Sequence, residues 1–261
     1  MDGALLCTIL IISVSSTALI IPLLCLSPYL AERFGSQKMY VVWLIIAVRL
    51  IVPLRFELPS APIEIKFPER VVVMRTNAPS PIEIMTEDER AEAAVHEANS
   101  FNYAPLMTLT ELLTLIWAAG ASIFFLLHIL KYICFRLSVK PYLKNTNEKD
   151  VKLCGRLSSP VAAGFFRPAV LLPDIDFGAE ELSMILLHER THIKRGDLWY
   201  KLLLTAANAV HWFNPAVYFM VRRASRDLEY SCDCYVVKGK DAEFRKQYSK
   251  TILKYARGNA E

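Results

Sequence analysis

Apolar residues crowd into four stretches of the chain, and polar residues collect between them. Residues 4–26 run for 23 positions without a charge. As a helix that stretch is about 35 Å long, enough to cross a ~30 Å hydrocarbon core. No basic segment precedes it, and it is longer than the apolar core of a secretory leader, so it predicts a membrane span. Residues 39–54 form a shorter apolar run interrupted by Arg49, which is expected near the outer end of a span, reaching the surface with Arg55. Residues 112–130 hold 19 positions free of Asp, Glu, Lys and Arg, with His128 near the end as an interfacial side chain. The pattern predicts a mainly α membrane protein with three N-terminal transmembrane helices, over about 4–26, 36–56 and 106–130. The fourth stretch, 198–221, lies in the C-terminal half.

Loop charges orient these helices. After the third span come Lys131, Arg136, Lys140, Lys144, Lys149, Lys152 and Arg156 against only Glu148 and Asp150, which marks the cytosolic side. The connection between the first two spans carries Arg33 and Lys38 against Glu32 and falls on the same side. Residues 57–105 include the acidic run Glu87, Asp88, Glu89 and are assigned outside the cell, as is the N-terminus. Pro59, Pro62, Pro68, Pro79 and Pro81 break that outer segment. Within it Ile63, Ile65, Val71 and Val73 alternate as short strands do, and 87–99 predicts a short polar helix. Residues 1–133 are then a multi-pass region of the cell membrane, and 134–261 a cytosolic domain.

Composition narrows the function classes. The chain of 261 residues is 54% apolar and 21% charged, with a net charge of +4. Its mean hydropathy of +0.30 is high for a water-soluble domain and excludes disorder as the main state. Six cysteines are too sparse for a disulfide scaffold. Cys154, Cys232 and Cys234 fall on the reducing side of the membrane. The pI of 8.7 follows from the basic loops and asks for no nucleic-acid partner.

Past residue 151 the pattern changes. Residues 161–166 and 169–172 read as short strands punctuated by Pro160, Gly164, Pro168 and Pro173. Residues 180–194 read as a helix with acids in its first turn and Lys194 and Arg195 at its end. Gly196 suits the position after that helix, and Asp197 the N-cap of the next. Inside it stands His188-Glu189-Arg190-Thr191-His192. Two histidines at i and i+4 share a face, and both imidazoles can reach one Zn2+ at ~2.0–2.1 Å. The Glu beside the first His can accept a proton from the water that zinc activates, the chemistry of peptide hydrolysis. Arg190, Tyr230 and His211 all stand as candidates for stabilising an oxyanion.

A catalytic zinc has three protein ligands and an open position. Glu229 and Asp233, at i and i+4 downstream, offer one carboxylate for the metal and one to hold a ligand imidazole from behind. Cys232 and Cys234 are a rival pair, but C-x-C spacing on a helix points them to divergent faces, so buried structural cysteine is expected. If residues 198–221 crossed the membrane, Glu229 would be separated from His188. Asn214-Pro215 resolves this, because proline interrupts the helix. A helical hairpin over 198–237 then returns Glu229 to the histidines, with Trp212 and Phe213 at its tip suited to a membrane interface and His211 interfacial beside them.

These elements in this order resemble the BlaR/MecR-type integral-membrane zinc metallopeptidases, the β-lactam sensor-transducers and their relatives. The resemblance rests on the three spans; on Ser159-Pro160-Val161-Ala162-Ala163-Gly164 followed by Ala169-Val170-Leu171-Leu172-Pro173; on His188-Glu189-Arg190-Thr191-His192 with Asp197; on His211-Trp212-Phe213-Asn214-Pro215; and on Glu229 with Asp233. It implies a cytosolic α+β, gluzincin-like zinc metallopeptidase domain. It also implies His188, His192 and Glu229 as zinc ligands, Glu189 as general base, and Asp233 behind a ligand histidine. In the sensor members this domain is implicated in cleaving itself and a DNA-bound repressor. Those members continue into a last span and an extracellular penicillin-binding domain; this sequence ends at Glu261 without them, so β-lactam sensing finds no support in it. Ser231 and Cys232 also depart from the acidic-small pair expected there.

The function expected is a membrane-embedded zinc endopeptidase cleaving a cytosolic protein, a repressor-like regulator or itself, in a transmembrane signalling pathway. Its partners are a protein or peptide substrate and the lipid bilayer, with room for a homodimer. An extended substrate is expected to add to the edge of the strand containing Val161, with Gly164 permitting close backbone approach. Two other classes compete: a catalytically silent transducer with a structural metal site, and a general membrane quality-control metalloprotease. Glu189 favours an active enzyme.

Overall fold

The computed structural model describes residues 3–52 and 108–256. The strands and polar helix expected within 57–105 lie outside the described residues. By its contacts the chain divides into two compact units, residues 1–10 with 55–119 and residues 11–54 with 120–261. The architecture below is that of the second unit, which holds the candidate site.

Helix α1 spans Gly3–Phe34, with Pro22 and Pro28 inside it. It runs past the end of the uncharged stretch. Gly35, at φ 84°, turns the chain directly into α2, Ser36–Ile51. Helix α3 covers Leu109–Val139. Its N-terminus, in the first unit, closes as a capping box: the Thr108 amide donates to Glu111 Oε2 at 2.8 Å and the Glu111 amide to Thr108 Oγ1 at 3.3 Å. Among the described residues two helices are long and apolar enough to cross a membrane, over Leu5–Phe34 and Leu109–Tyr142. The second expected span is not among these two. Its described helix has 16 residues, and Met39, Trp43, Ala47 and Leu50 on one face are buried against protein. Arg49, expected to reach the surface, instead donates to Ser15 Oγ of α1 at 3.4 Å.

After a 3-10 turn at Lys140–Tyr142 the chain builds a four-stranded sheet from β1 (Leu143–Asn145), β2 (Val151–Cys154), β3 (Val161–Ala163) and β4 (Ala169–Pro173). The spatial order is β1-β2-β4-β3, with β2 and β4 parallel and the outer strands antiparallel to their neighbours. β1 and β2 were not among the predicted strands: their alternation is too short to read. β3 is shorter than residues 161–166 because Gly164, at φ 104°, turns the chain toward β4. Four helices follow: α4 (Ala179–Arg195), α5 (Asp197–Val210), α6 (Pro215–Val236) and α7 (Ala242–Ala256).

The core has two principal parts. Val151, Val170 and Leu172 of the sheet pack on Ile185 and Leu186 of α4. A larger cluster joins Ile20 of α1 and Trp43 of α2 to Leu204 of α5 and Met220 and Leu228 of α6. Each such side chain contributes about 1.5–3 kcal/mol by leaving water. Inside the second cluster Asp227, fully buried, accepts from Trp43 Nε1 at 2.7 Å and Arg223 Nε at 3.1 Å. That pairing ties α2 to α6. α5 and α6 form an antiparallel hairpin whose reversal is marked by Asn214, which caps α6 by accepting from the Ala216 amide, and by Pro215 at the first helical position.

Candidate metal centre

α4 presents the two histidines on one buried face. Its charges suit its dipole, with Glu180 and Glu181 in the first turn and Lys194 and Arg195 in the last, and Gly196 ends it in the left-handed region. His188 and His192 bring their Nε2 atoms to 3.0 Å from one another. The opposite ring nitrogens are both engaged. His192 Nδ1 donates to Asp197 Oδ2 at 2.7 Å. His188 Nδ1 donates to the Tyr248 hydroxyl at 2.7 Å, and that hydroxyl donates on to Asp233 Oδ1 at 2.7 Å. A proton on each Nδ1 leaves a lone pair on each Nε2.

α6 carries Glu229 back to these lone pairs. Its Oε2 lies 3.1 Å from His192 Nε2 and 4.0 Å from His188 Nε2. Its Oε1 accepts from Lys201 Nζ of α5 at 3.0 Å. Three atoms that can each ligate a metal, two imidazole nitrogens and one carboxylate oxygen, therefore converge on one point. Ligand atoms around a tetrahedral zinc at ~2.0–2.1 Å stand about 3.4 Å apart. The edges of this triangle, 3.0, 3.1 and 4.0 Å, bracket that spacing. The donor set fits a divalent metal with one position left open.

The surrounding field agrees. Burial works to lower His192, but Asp197, Cys232 and Glu229 push it up to about 12. Burial works the same way on His188, where Asp233 and Cys232 push it up to about 9. Burial would raise Glu229, yet His192 and Lys201 bring it down to about 2. The pocket thus favours positive charge at the imidazoles, which is what a bound cation supplies.

Glu189 sits beside the triangle. Burial pushes its carboxyl above the usual range, against the pull of His188 and His192, and it accepts from the Ala162 amide of β3. Glu189, the histidines and Glu229 line a cavity of about 1050 Å³ that is walled by Val161 of β3 and by Phe125 and Tyr132 of α3. β3 is an edge strand, paired only with β4 within the sheet.

Other expectations meet different outcomes. Cys232 is buried and Cys234 exposed, as their spacing implies. Cys232 Sγ comes near both histidines but lies 4.0 Å from His188 Nδ1, the nitrogen already bonded to Tyr248. Asp233 reaches His188 at 3.3 Å, with Tyr248 bridging the pair. Gly164 has a structural reason of its own: a Cβ there would meet the Arg167 carbonyl oxygen at 2.5 Å. Asp197 is not an N-cap. Gly196 holds that position without a side-chain bond, and Asp197 turns inward to His192. None of the three oxyanion candidates lines the cavity. Arg190 pairs with Glu148 and Asp150, Tyr230 is exposed, and His211 is fully buried with its Nε2 bonded to the Leu50 carbonyl at 3.0 Å.

Sequence reasoning missed Tyr248, Lys201 and the partner role of Asp197. Tyr248 is 60 residues from His188 on a helix with no motif. Behind Asp197 stand two more such residues: Arg195 Nε lies 3.4 Å from its Oδ1, and the Arg195 guanidinium covers the ring of Tyr40 of α2 at 4.9 Å.

Residues 7–261 match the family described as BlaR1 peptidase M56. The regulatory protein BlaR1 of Bacillus licheniformis is 39% identical over 101 residues, which are 38% of this chain and 17% of that protein. The methicillin resistance mecR1 proteins of Staphylococcus aureus and Staphylococcus epidermidis are each 24% identical over 275 residues, 96% of this chain and 46% of theirs. The chain thus spans less than half the length of these curated relatives. With a match that runs through the histidine helix, the hairpin and α7, the chain belongs to the BlaR1 peptidase M56 family.

Proposed function

We infer that this protein is a membrane-embedded zinc endopeptidase. It cleaves a cytosolic protein, a repressor-like regulator or its own chain, within a transmembrane signalling pathway. The observation that carries this reading is the convergence of His188 Nε2, His192 Nε2 and Glu229 Oε2 beside a half-buried Glu189, at the wall of a cavity bounded by an edge strand. Family membership and relatives named as regulatory and resistance proteins support a signalling role. The apolar helices α1 and α3 support a membrane anchor; with α2 crossing between them, the basic loops favour the N-terminus outside and the peptidase domain in the cytosol.

His188, His192 and Glu229 would hold the zinc. When bound, it supplies Lewis acidity and lowers the pKa of water to ~7. The rest falls to the chain. Glu189 accepts the proton of the attacking water as its oxygen bonds to the peptide carbonyl carbon. Its raised pKa suits it to return that proton to the departing amine as the C–N bond breaks. Asp197 and the Tyr248–Asp233 pair keep protons on the two Nδ1 atoms and so keep both Nε2 lone pairs inward. A substrate strand added to β3 at Val161 would pass beside Glu189.

The test compares wild type with Glu189→Gln and Glu229→Ala. Zinc content is measured on detergent-purified protein, and new protein N-termini are mapped in cells expressing each form. The expected result is near one zinc per chain in wild type and Glu189→Gln, less in Glu229→Ala, and N-termini in wild type that Glu189→Gln lacks. Identical N-termini in wild type and Glu189→Gln would make the transducer reading the better one. Unchanged zinc in Glu229→Ala would remove the third ligand. Cleavage spread over many membrane proteins would favour quality control.

A further inference from the structure

Residues 202–221 contain no charged side chain, a length that could cross a bilayer as one helix. They fold back on themselves between α5 and α6 instead. Two contacts set the depth of the fold-back against the long apolar helices. Asn214 Nδ2 donates to Ser13 Oγ at 2.8 Å and to Thr17 Oγ1 at 2.7 Å. Ser13 and Thr17 flank the middle of the uncharged stretch 4–26. On the other side the Trp212 ring lies so close to Gly120 that a Cβ there would stand 2.4 Å from Trp212 Cε2. Gly120 adjoins the middle of the uncharged stretch 112–130. Both helices therefore put the reversal at the same level, midway along their apolar lengths.

The other end of the hairpin is equally well marked. Charge returns at Lys201 on α5 and at Arg222 and Arg223 on α6. At ~1.5 Å per residue these lie about 14 Å from Val210 and about 11 Å from Pro215. Half of a ~30 Å hydrocarbon core is about 15 Å. At that end Tyr132, next to the Lys131 that closes the uncharged stretch of α3, contacts Phe165 with ring centroids 5.1 Å apart. Phe165 and Phe166 in turn pack on Trp199, at 5.3 and 5.6 Å. Phe166 is 88% exposed. An aromatic cluster at the level where charge returns is what a membrane–water boundary selects. Between the two ends Phe213, Tyr218 and Phe219 turn outward from the hairpin, Phe219 at 57% exposure. Near the reversal Asn214 bonds to α1 and His211 Nε2 to the Leu50 carbonyl of α2, both inside the protein.

We propose that α5 and α6 form a re-entrant hairpin that enters one leaflet, reverses at Asn214 near the bilayer midplane and leaves by the same face, with lipid acyl chains against Phe213 and Phe219. This rests on reading α1 and α3 as membrane spans. It departs from the expectation that Trp212 and Phe213 lie at the interface: on this proposal the reversal is the deepest point, and Trp199 and Phe166 are the interfacial aromatics. Glu229 stands seven residues, about 10 Å, beyond Arg222. The metal centre therefore lies close above the membrane surface, and a substrate must present its scissile segment there.

The test is nitroxide accessibility in the full chain, reconstituted in phosphatidylcholine/phosphatidylglycerol nanodiscs, with Cys7, Cys25, Cys134 and Cys234 replaced by serine. Labels go on Phe219→Cys, on Phe213→Cys as a second hairpin position, on Ile123→Cys of α3, and on Lys246→Cys of α7. The expected result is that positions 219 and 213 collide with a water-soluble nickel chelate about tenfold less than position 246, because the hydrocarbon core excludes water. Position 213 is expected to be the more protected of the two. Positions 219 and 213 behaving like 246 while 123 is protected would overturn the hairpin and leave the spans standing. Position 123 behaving like 246 would overturn the membrane reading on which the proposal rests.

Discussion

Asp197, 1% exposed, accepts a hydrogen bond from Nδ1 of His192 at 2.7 Å, and so fixes which nitrogen of that histidine faces Glu229. A carboxylate behind a ligand imidazole both orients the ring and raises its basicity. Asp197→Asn keeps an acceptor but loses the charge. Zinc affinity is expected to fall about 10–100-fold, read by competition with a chromogenic chelator. Affinity equal to wild type would show that Asp197 is a packing residue only.

Tyr248 does the corresponding service for His188, but with Asp233 in reserve at 3.3 Å from the same nitrogen. Tyr248→Phe is therefore expected to weaken zinc binding less than Asp233→Ala. The double change is expected to be weaker than either but less than additive, since the two share one hydrogen-bond chain. Additive losses would separate the two side chains.

Lys201 holds Glu229 Oε1 at 3.0 Å and, together with His192, brings that carboxyl down to about 2 against the opposing effect of burial. A carboxyl with a lowered pKa contributes above its ordinary value and loses that contribution as pH falls through the lowered one. Lys201→Met should lift the Glu229 pKa toward 4.5. Zinc should then be released at a higher pH during acid titration. Lys201 is half exposed, so water screens part of the effect and the shift is expected to be under about one pH unit. Release at the wild-type pH would exclude the pairing.

Trp43 Nε1 donates to Asp227 Oδ2 at 2.7 Å inside the helical core. Trp43→Phe leaves the buried carboxylate to Arg223 alone, at a cost of about 1–3 kcal/mol. Asp227→Ala strands the Arg223 guanidinium, at a cost of about 3–5 kcal/mol. Thermal unfolding in detergent should rank them in that order.

Gly164→Val places a side chain at φ 104° and drives its Cβ toward the Arg167 carbonyl. The β3–β4 turn should loosen, and the melting temperature should fall before any question of substrate arises. Ala162→Pro is the cleaner probe of the edge strand. It removes the amide that Glu189 accepts from, and proline is tolerated at an edge. It is expected to lower cleavage while leaving zinc content unchanged.

What could be read from the chain alone was what depends on neighbours in sequence. His188 and His192 share a face because an α-helix repeats every 3.6 residues, and Gly196 ends that helix because it has no Cβ to clash in the left-handed region. The break at Asn214-Pro215 was legible because proline cannot continue a ladder, and from it followed the hairpin that brings Glu229 home. The long uncharged stretches announced α1 and α3 by length alone. Tertiary structure decided the rest, because nothing local encodes it. Asp197 looks like a cap in sequence and becomes the partner of His192 only when α4 and α5 meet at an angle that turns it inward. Tyr248 reaches His188 only because α7 packs back on α4. The 16 residues of α2 read as a short apolar run, and only packing against α6 decides which face of them becomes core. The level of the hairpin tip is set by Asn214 finding Ser13 and by Gly120 making room for Trp212, contacts between residues about 200 and 90 positions apart that no periodicity can foretell.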